Sequence, residues 1–254
     1  MRGKKKFFLS LAALVAVIVI CSILLSVTGG YAVYTANTNK RKLPVYGVER
    51  DDNSVSISFD CAWGADYTEK ILDTLDFYKV KATFFVVEFW TEKYPEVLKK
   101  IVDRGHEVGT HSKTHPKMSK LSVGQIETEL KSSVEAIEKI TEKKVTLFRP
   151  PFGDYNDEVI GTAEKLGLKT IQWSVDSLDW KDLSAEQIAV RVIGKSKSGS
   201  IILMHNNGLH TLESLPLIFT DLQRKGFVFR PIGELIYTKD YEIAPDGTQR
   251  KINI

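Results

Sequence analysis

The chain has 254 residues, of which 43% are hydrophobic, and this excludes a wholly disordered protein because such a chain can bury the core of one large domain. Its formal net charge of +3 is unevenly distributed: seven of the 35 basic residues and none of the 32 acidic residues lie in residues 1–42, so the rest carries a net charge of −4. An acidic main domain lacks the basic surface that nucleic-acid binding requires, so we predict no nucleic-acid partner.

Residues 1–30 predict a short basic cytoplasmic stub followed by one transmembrane signal-anchor. Lys4, Lys5 and Lys6 precede an uncharged and mostly apolar run from Phe7 to about Val27. A helix needs ~20 residues to cross a bilayer, whereas a cleaved signal peptide has an apolar core of only ~7–15 residues. A buried core helix is the alternative, which the apolar composition on all sides disfavours. The lysines favour a cytoplasmic N-terminus, so we expect a single-pass, membrane-anchored protein whose main domain lies outside the cytoplasm.

Residues 31–53 predict a polar linker, and beyond it short β-type runs alternate with amphipathic stretches. The predicted strands are Ser54–Phe59, Ala82–Val87, His106–Thr110, Thr146–Arg149, Lys169–Val175, Ser200–Met204 and Phe227–Phe229. The predicted helices are Thr68–Tyr78, Tyr94–Arg104, Ser122–Thr141, Asn156–Leu166, Ser184–Ser196 and Thr211–Lys225. This alternation is typical of a parallel α/β fold, either an open doubly wound sheet or a closed or nearly closed barrel. No glycine-rich phosphate-binding turn follows the first strand, which disfavours a nucleotide-binding open sheet.

Reactive side chains follow five of the seven predicted strands. Asp60 comes directly after the first strand and "HSKTH" after the third, Arg149 ends the fourth, and "DSLDW" and His205 follow the fifth and the sixth. In a barrel, the loops at the carboxyl ends of the strands converge on one mouth. The distribution therefore predicts one shared site.

Each of these residues also has a purely structural interpretation. His111 and His115 are four residues apart, so both imidazoles can share a cation from one helical turn, but the spacing also occurs by chance. Asp60 could cap the next turn, and His205 emerges from a buried apolar strand, where a histidine often serves only the core. Arg149 lies on a stiff loop with two prolines that suits bidentate binding of a carboxylate, or it is a surface arginine.

Five ordered motifs resemble those of the polysaccharide deacetylases, the NodB-homology domains of carbohydrate esterase family 4. They are "SFDC", "HSKTH", "RPPFG", "DSLDW" and "LMH", and the resemblance covers about Asn53 to Tyr237. It implies a deacetylase domain at residues 54–237 and a C-terminal tail at residues 238–254. It also implies an incomplete or distorted (β/α) barrel of about seven parallel strands, and a metal-dependent hydrolase that removes acetyl groups from glycans.

The resemblance further implies a metal site next to a general base. His111 and His115 would hold one divalent ion, with Zn²⁺ preferred to Co²⁺ or Mn²⁺, and this ion would polarise the acetamide carbonyl. Asp60 would accept the proton of the attacking water. Arg149 would position that carboxylate and keep it ionised.

On the leaving-group side, the resemblance implies a general acid and a small substrate pocket. His205 would protonate the departing amine, and Asp179 would hold the imidazole oriented and charged. The backbone N–H of Phe152 would help to stabilise the oxyanion. Trp180 and Leu203 would form the walls of an apolar pocket for the acetyl methyl group.

Cys61 stands where the family usually has a second acid, the third protein ligand of the metal. A cysteine thiolate is itself a good zinc ligand, so Cys61 could complete a Cys-His-His set. Alternatively, Cys61 packs as a small hydrophobic residue and the metal is retained less well. A third interpretation is that activity is lost and the barrel is retained as a binding module.

The "SFDCAWG" segment, a single N-terminal anchor and a short linker resemble a sporulation-associated subgroup of these deacetylases. This resemblance implies hydrolysis of N-acetyl groups on peptidoglycan of the spore cortex or cell wall, at the cell surface or in the space around the forespore. Two alternatives stay open. One is a weakly active or inactive glycan-binding protein that supports envelope assembly; the other is a deacetylase of chitin oligomers or of another acetylated polysaccharide.

Overall fold

The computed structural model describes residues 17–20 and 41–252. Residues 17–20 are helical, and in the part of the chain that is described no helix is long and apolar enough to cross a membrane. Most of the predicted anchor lies outside the described residues, so the anchor stays a prediction. Residues 42–252 form one compact unit, and the site described below lies within it.

The main sheet consists of parallel strands, as the sequence predicts. The strands of the domain are β1 Gly47–Val48, β2 Ser54–Cys61, β3 Thr83–Val86, β4 Glu107–Thr110, β5 Leu147–Phe148, β6 Lys169–Thr170, β7 Val175–Asp176, β8 Ile201–His205, β9 Val228–Phe229, β10 Tyr241–Ile243 and β11 Thr248–Lys251. Seven of them lie in the order β6-β5-β4-β3-β2-β8-β7, and β9 pairs with the beginning of β2. The predicted α/β fold with about seven parallel strands is confirmed.

The predicted strand Lys169–Val175 is wrong as a single element. It is divided into β6 and β7, which lie at opposite edges of the sheet. Only residues 171–174 connect the two edges, and an extended chain covers at most ~3.6 Å per residue, so the edges lie within roughly 18 Å of each other. The sheet is therefore curled into an incomplete barrel. Val45 and Gly47 form isolated bridges to Ile171 and Ser200, so the incoming chain contacts both sides of the opening.

Helices cover the outer face of the curled sheet, except for the short helix α8, Ile232–Leu235, which packs against the inner-face residues Phe85 and Ile201. They are α1 Thr68–Phe77, α2 Glu88–Lys93, α3 Pro95–Asp103, α4 Val123–Thr141, α5 Asp157–Lys165, α6 Ala185–Lys195, α7 Thr211–Arg224 and α8 Ile232–Leu235. The six predicted helices are all present, and their ends follow from local chemistry. Ser122 and Ser184, for example, begin α4 and α6 with capping boxes that satisfy the first free N–H groups of each helix. The sequence pattern missed the short helices α2 and α8.

The alternation of residues along β2 determines the two faces of the barrel. In "SVSISFDC" the apolar residues and Cys61 belong to the core cluster that packs beneath the helices. The serines and Asp60 alternate with them and point to the other face, since successive strand side chains face opposite sides. Ser58, for example, donates a hydrogen bond to the carbonyl of Ile202 in β8. This alternation places a carboxylate inside the barrel and a thiol outside it.

The predicted linker and tail both contribute to the folded unit. β1, within the predicted linker, pairs in parallel with β11, which pairs in antiparallel fashion with β10 in the predicted tail. The turn between β10 and β11 contains Pro245, Asp246 and Gly247, where the sequence indicates a turn. The boundaries at residues 54 and 237 are therefore too narrow, because this three-stranded sheet extends the domain at both ends.

Candidate active site

Eight of the ten residues predicted for the site line a single cleft of about 810 Å³ at the carboxyl ends of the strands. The exceptions are Arg149, which lies beneath the cleft, and Cys61. Asp60 and His205 are partners in the parallel register of β2 and β8, so their side chains leave neighbouring strands in the same direction. The cleft-lining residues predicted from the sequence are Asp60, His111, His115, Phe152, Asp179, Trp180, Leu203 and His205.

Asp60 is held as a charged carboxylate by Arg149. The arginine Nη1 donates a hydrogen bond of 2.8 Å to Asp60 Oδ1, and its Nη2 donates to the carbonyl of Gln172 at 3.2 Å. Burial is the largest influence and disfavours the charged carboxylate, but the charge and hydrogen bond of Arg149, together with His111 and His205, outweigh it and hold the pKa of Asp60 below its ordinary value. Asp60 is therefore ionised at neutral pH, as a proton acceptor must be.

Arg149 is fully buried, which is unusual for a single arginine and excludes a surface role. Its guanidinium carbon lies 4.2 Å from the centre of the Phe85 ring, a cation–π contact that compensates part of the lost hydration. Asp60 is the carboxylate that pairs with it. Charge and hydrogen bonding thus fix the position of Asp60 from below.

His111 follows β4 and presents one nitrogen to the cleft. Its Nδ1 lies 2.7 Å from the carbonyl oxygen of Arg149, which can only accept, so Nδ1 carries the proton and donates it. Nε2 is then unprotonated and lies 3.5 Å from Asp60 Oδ2. Burial lowers the pKa of His111, so the ring is neutral at neutral pH. This tautomer is the one a metal ligand needs.

His115 reaches the same cleft from a loop whose backbone is unusual. Ser112 has φ 74° and His115 has φ 60°, both in the left-handed region that residues other than glycine rarely adopt. The rings of His111 and His115 lie 5.0 Å apart, centre to centre. Burial, together with repulsion from His111 when that ring is also protonated, lowers the pKa of His115 to about 4, so at neutral pH this ring is also neutral.

Glu129 in α4 stabilises the loop that carries His115. One carboxylate oxygen accepts hydrogen bonds from the backbone N–H groups of Lys113 and Thr114 at 2.9 and 2.8 Å. The other accepts from the Thr114 hydroxyl at 2.6 Å. Ser112 closes the loop because its hydroxyl accepts from the N–H of His115. Three bonds to one charged side chain are what hold the left-handed residues in place.

Next to Asp60, the neighbouring strand β8 brings a second charged pair to the cleft, His205 and Asp179. Asp179 Oδ1 lies 2.8 Å from His205 Nδ1, and Oδ2 accepts from the backbone N–H of His205 at 2.8 Å and from the Thr211 hydroxyl at 2.6 Å. Burial disfavours the imidazolium, but the hydrogen bond and charge of Asp179 outweigh it and raise the pKa of His205. A histidine with a raised pKa and its Nε2 free of this contact is suited to donate a proton.

Apolar side chains complete the walls. Leu203 is buried at the floor, and Trp180 and Phe152 are largely exposed at the rim. The Phe152 ring lies 4.6 Å from the His115 ring, and Phe152 has φ 60° within the "RPPFG" loop. The roles predicted for these residues towards an acetyl group and an oxyanion stay predictions, but all three lie beside the charged pairs.

Cys61 is not placed as a metal ligand. It lies in the core beneath the helices, does not line the cleft, and burial raises the pKa of its thiol well above the ordinary value. The physical reason is the alternation of the strand: β2 continues through Cys61, so the residue after Asp60 faces the other side of the sheet. The interpretation of Cys61 as a small hydrophobic residue describes this geometry, and the Cys-His-His set does not.

The residues present fit a metal ion only in part. His111 and His115 are neutral and close together, which suits a divalent ion. Yet among residues 17–20 and 41–252 no group of three or more His, Cys, Asp or Glu side chains is arranged to hold one. By the sequence resemblance, a metal-binding acid would stand at the position of Cys61, and Cys61 offers no donor to the cleft.

Sequence reasoning missed three contributors to the site. Trp63 and Trp173 line the cleft, and Glu129 supports the loop of His115. Trp63 could have been found, because it follows Asp60 by three residues at the end of a strand. Trp173 was hidden in the strand that proved to be two, and no local pattern distinguishes Glu129 from the other acids of its helix.

The sequence pattern of the family described as Polysaccharide deacetylase matches residues 47–171. The chain is 37% identical to the uncharacterized protein YlxY of Bacillus subtilis over 76% of this chain, and it spans 60% of that protein. It is 33% identical to the peptidoglycan-N-acetylmuramic acid deacetylase PdaA of Bacillus subtilis, over 76% of this chain and 74% of that one. The chain is 34% identical to a peptidoglycan-N-acetylglucosamine deacetylase of Bacillus cereus, over 76% of this chain and 92% of that protein.

Among solved structures, the chain is similar to wild-type BA3943 of Bacillus anthracis, which is described as a CE4 family pseudoenzyme. The TM-score is 0.74 and the identity 38%, over 76% of this chain and 68% of that one. A mutant of BA3943 with the same similarity is described as having restored enzymatic activity. The chain is thus similar both to peptidoglycan deacetylases and to a pseudoenzyme.

Proposed function

Because the chain belongs to the polysaccharide deacetylase family, whose members are hydrolases that act on carbon–nitrogen bonds, we propose that it removes N-acetyl groups from the sugars of peptidoglycan. The observation that carries this proposal is the pair of charged dyads that meet in one cleft from neighbouring strands. Asp60 with Arg149 supplies a proton acceptor, and His205 with Asp179 supplies a proton donor. Groups with pKa values shifted in opposite directions are what general acid–base hydrolysis requires.

The reaction follows from these two dyads. A water molecule attacks the acetamide carbonyl carbon through its oxygen, and Asp60 accepts the proton that this water loses. Arg149 keeps the carboxylate of Asp60 in position. The carbon–nitrogen bond then breaks while His205 Nε2 gives its proton to the sugar nitrogen, and acetate and a free amine leave. Asp179 stabilises the imidazolium before this transfer. A divalent ion on His111 and His115, with Zn²⁺ preferred to Co²⁺ or Mn²⁺, would supply Lewis-acid polarisation of the carbonyl.

The location follows from the N-terminal segment. We propose that residues 1–30 anchor the chain in a membrane and that the domain acts outside the cytoplasm, at the cell surface or around the forespore during sporulation. The lysine-flanked apolar run supports the anchor. Fusing a reporter that is active only in the cytoplasm to the C-terminus tests the orientation, and reporter activity there would contradict it.

A second candidate function is a barrel that binds glycan without hydrolysing it. Two observations favour this candidate: the third metal donor is replaced by a buried cysteine, and the chain is similar to a protein described as a pseudoenzyme. In that case the cleft and its dyads would persist while turnover is lost.

Measuring acetate release from peptidoglycan, together with the zinc content of the purified chain, separates the two candidates. Acetate release that depends on Asp60 supports the hydrolase. Glycan binding with no acetate release at saturating zinc supports the binding protein. Parallel assays with chitin oligomers and acetylated xylan show whether peptidoglycan is the preferred glycan.

A further inference from the structure

Trp63 is an exposed aromatic residue on a loop whose backbone is held by hydrogen bonds. About 64% of its side chain is exposed, although burying an indole ordinarily stabilises a domain by an amount that grows with the apolar area removed from water. The residue lines the cleft but belongs to neither charged dyad. Phe152 and Trp180 are also exposed along this cleft, and several exposed apolar side chains around one cleft are typical of a ligand-binding groove.

The loop beneath Trp63 is fixed by hydrogen bonds from two other elements. The carbonyl oxygen of the next residue, Gly64, accepts from Trp90 Nε1 at 2.6 Å and from Asn206 Nδ2 at 3.0 Å. Gly64 has φ +64°, and a Cβ there would come within 3.1 Å of the Asn207 side chain. The backbone that presents Trp63 is therefore rigid, which lowers the entropic cost of binding a ligand on its ring.

The indole also has aromatic support on one side. Its ring lies 5.3 Å from the Phe89 ring and 6.0 Å from the His115 ring, and the His115 ring in turn lies 4.6 Å from the Phe152 ring. Trp180 and the His205–Asp179 dyad line the same cleft. Trp63 thus lines the cleft next to His115, within a group of neighbouring aromatic rings.

We propose that Trp63 is the stacking platform for the sugar unit that adjoins the reacting N-acetyl sugar of the glycan, on the side of His115. The proposal rests on the function proposed above, because it names how the same cleft holds a polymer. The apolar face of a pyranose ring packs on an indole as other flat apolar surfaces do, while its hydroxyl edge stays in water. Trp63 would therefore contribute to the binding of oligomers and not to that of the reacting unit alone.

The test compares glycans of two lengths. The full-length chain carrying Asp60→Asn, so that hydrolysis does not consume the ligand, is titrated by calorimetry with a single N-acetyl sugar and with the peptidoglycan tetrasaccharide. Adding Trp63→Ala should weaken tetrasaccharide binding about tenfold, which corresponds to one aromatic contact, and should change monosaccharide binding less than about twofold. Trp63→Phe should recover most of the loss because it keeps a flat ring against Phe89.

Phe77→Ala is the matched control, since Phe77 is 79% exposed and does not line the cleft. It should leave both dissociation constants unchanged. Equal tetrasaccharide affinity with and without Trp63 would overturn the inference while the proposed function stands. An equal loss for both glycans would also overturn it, since Trp63 would then act on the reacting unit or on folding. A parent chain that binds neither glycan would overturn the proposed function and this inference together.

Discussion

The cleft has two sides, called here the His205 wall and the His111 wall, and they differ in how many of the groups needed for metal-dependent hydrolysis they hold. On the His205 wall, the carboxylate of Asp179 accepts three hydrogen bonds, and the imidazole has a defined partner and a raised pKa. On the His111 wall, the base and two neutral imidazoles are in place, but the residue that would supply a further donor, Cys61, faces the core. The chain therefore has the groups that move protons and only part of a set that binds metal.

This difference shows that the two sets are positioned by independent features of the fold. The proton donor depends on β8 and on the turn before α6, whereas the metal-binding side depends on the end of β2 and on the loop after β4. A single substitution at the end of β2 can weaken one wall and leave the other unchanged. Substitutions on one wall should therefore leave the groups of the other wall in place.

The largest effect is expected on the base side from Arg149→Leu. It leaves Asp60 as a buried carboxylate without its charged partner, which costs about 3–5 kcal/mol in the free energy of unfolding. The pKa of Asp60 should rise in this variant, because the charge that lowers it is gone. Urea denaturation measures the loss of stability. The double variant Asp60→Asn, Arg149→Leu should recover part of it, and a loss below about 1 kcal/mol in the single variant would show that the pair is not coupled in this way.

On the acid side, His205→Ala should lower the rate of acetate release by about 10²–10⁴-fold, the usual contribution of a general acid. The zinc content should stay the same, because His205 is bonded to Asp179 and not to the histidine pair. Elemental analysis alongside the assay measures both quantities. Loss of zinc from this variant would move His205 to the metal side and contradict the comparison of the two walls.

Asp179→Asn changes the hydrogen-bond partner of His205 and leaves the imidazole itself in place. Asp179 raises the pKa of His205, so its removal lowers that pKa and moves the high-pH limit of activity to lower pH. A pH–rate profile measures this shift. An unchanged limit, with activity reduced at every pH, would indicate that Asp179 only holds the loop.

On the metal side, Glu129→Ala should weaken zinc affinity by about 10–100-fold, the usual cost of losing a group that orients a ligand. The variant removes three hydrogen bonds from the loop that holds His115 in its left-handed conformation. Glu129→Gln is the matched control, because its amide oxygen can still accept from both backbone N–H groups. Competition with a chelator measures the affinity, and a zinc affinity of Glu129→Ala equal to that of the parent chain would exclude a positioning role for this side chain.

The convergence of the site could be read from the sequence because it depends on a general property of parallel strands. Asp60, His111, Arg149 and His205 each follow or end a β-type run, and the carboxyl ends of such strands share one rim. What the sequence could not show was how the runs pair. Residues 169–175 have strand composition throughout, yet whether their two ends join one neighbour or two depends on the curl of the whole sheet.

Long-range contacts account for the other differences. The tail forms β10 and β11 because β1 offers a pairing edge some 200 residues earlier, and polar tail residues alone do not predict that. The complete burial of Arg149 is likewise a property of the assembled barrel, where Phe85 and Asp60 surround the guanidinium. The direction of Cys61, in contrast, was readable: the Ser-Val-Ser-Ile-Ser-Phe alternation already assigns the cysteine to the apolar face.

The smallest effect is expected from Cys61→Ala, and it decides what the missing donor means. If Cys61 serves only the core, the variant loses one buried sulfur, which costs roughly 1 kcal/mol in the free energy of unfolding. The zinc content and zinc affinity should equal those of the parent chain, because the thiol lies on the other side of β2 from His111. Urea denaturation and zinc titration measure the two quantities. His111→Ala, which should lose zinc with the fold intact, is the positive control, and a loss of zinc in Cys61→Ala of the same size would mean that the end of β2 turns Cys61 into the cleft when the metal binds. The two walls would then be equally complete.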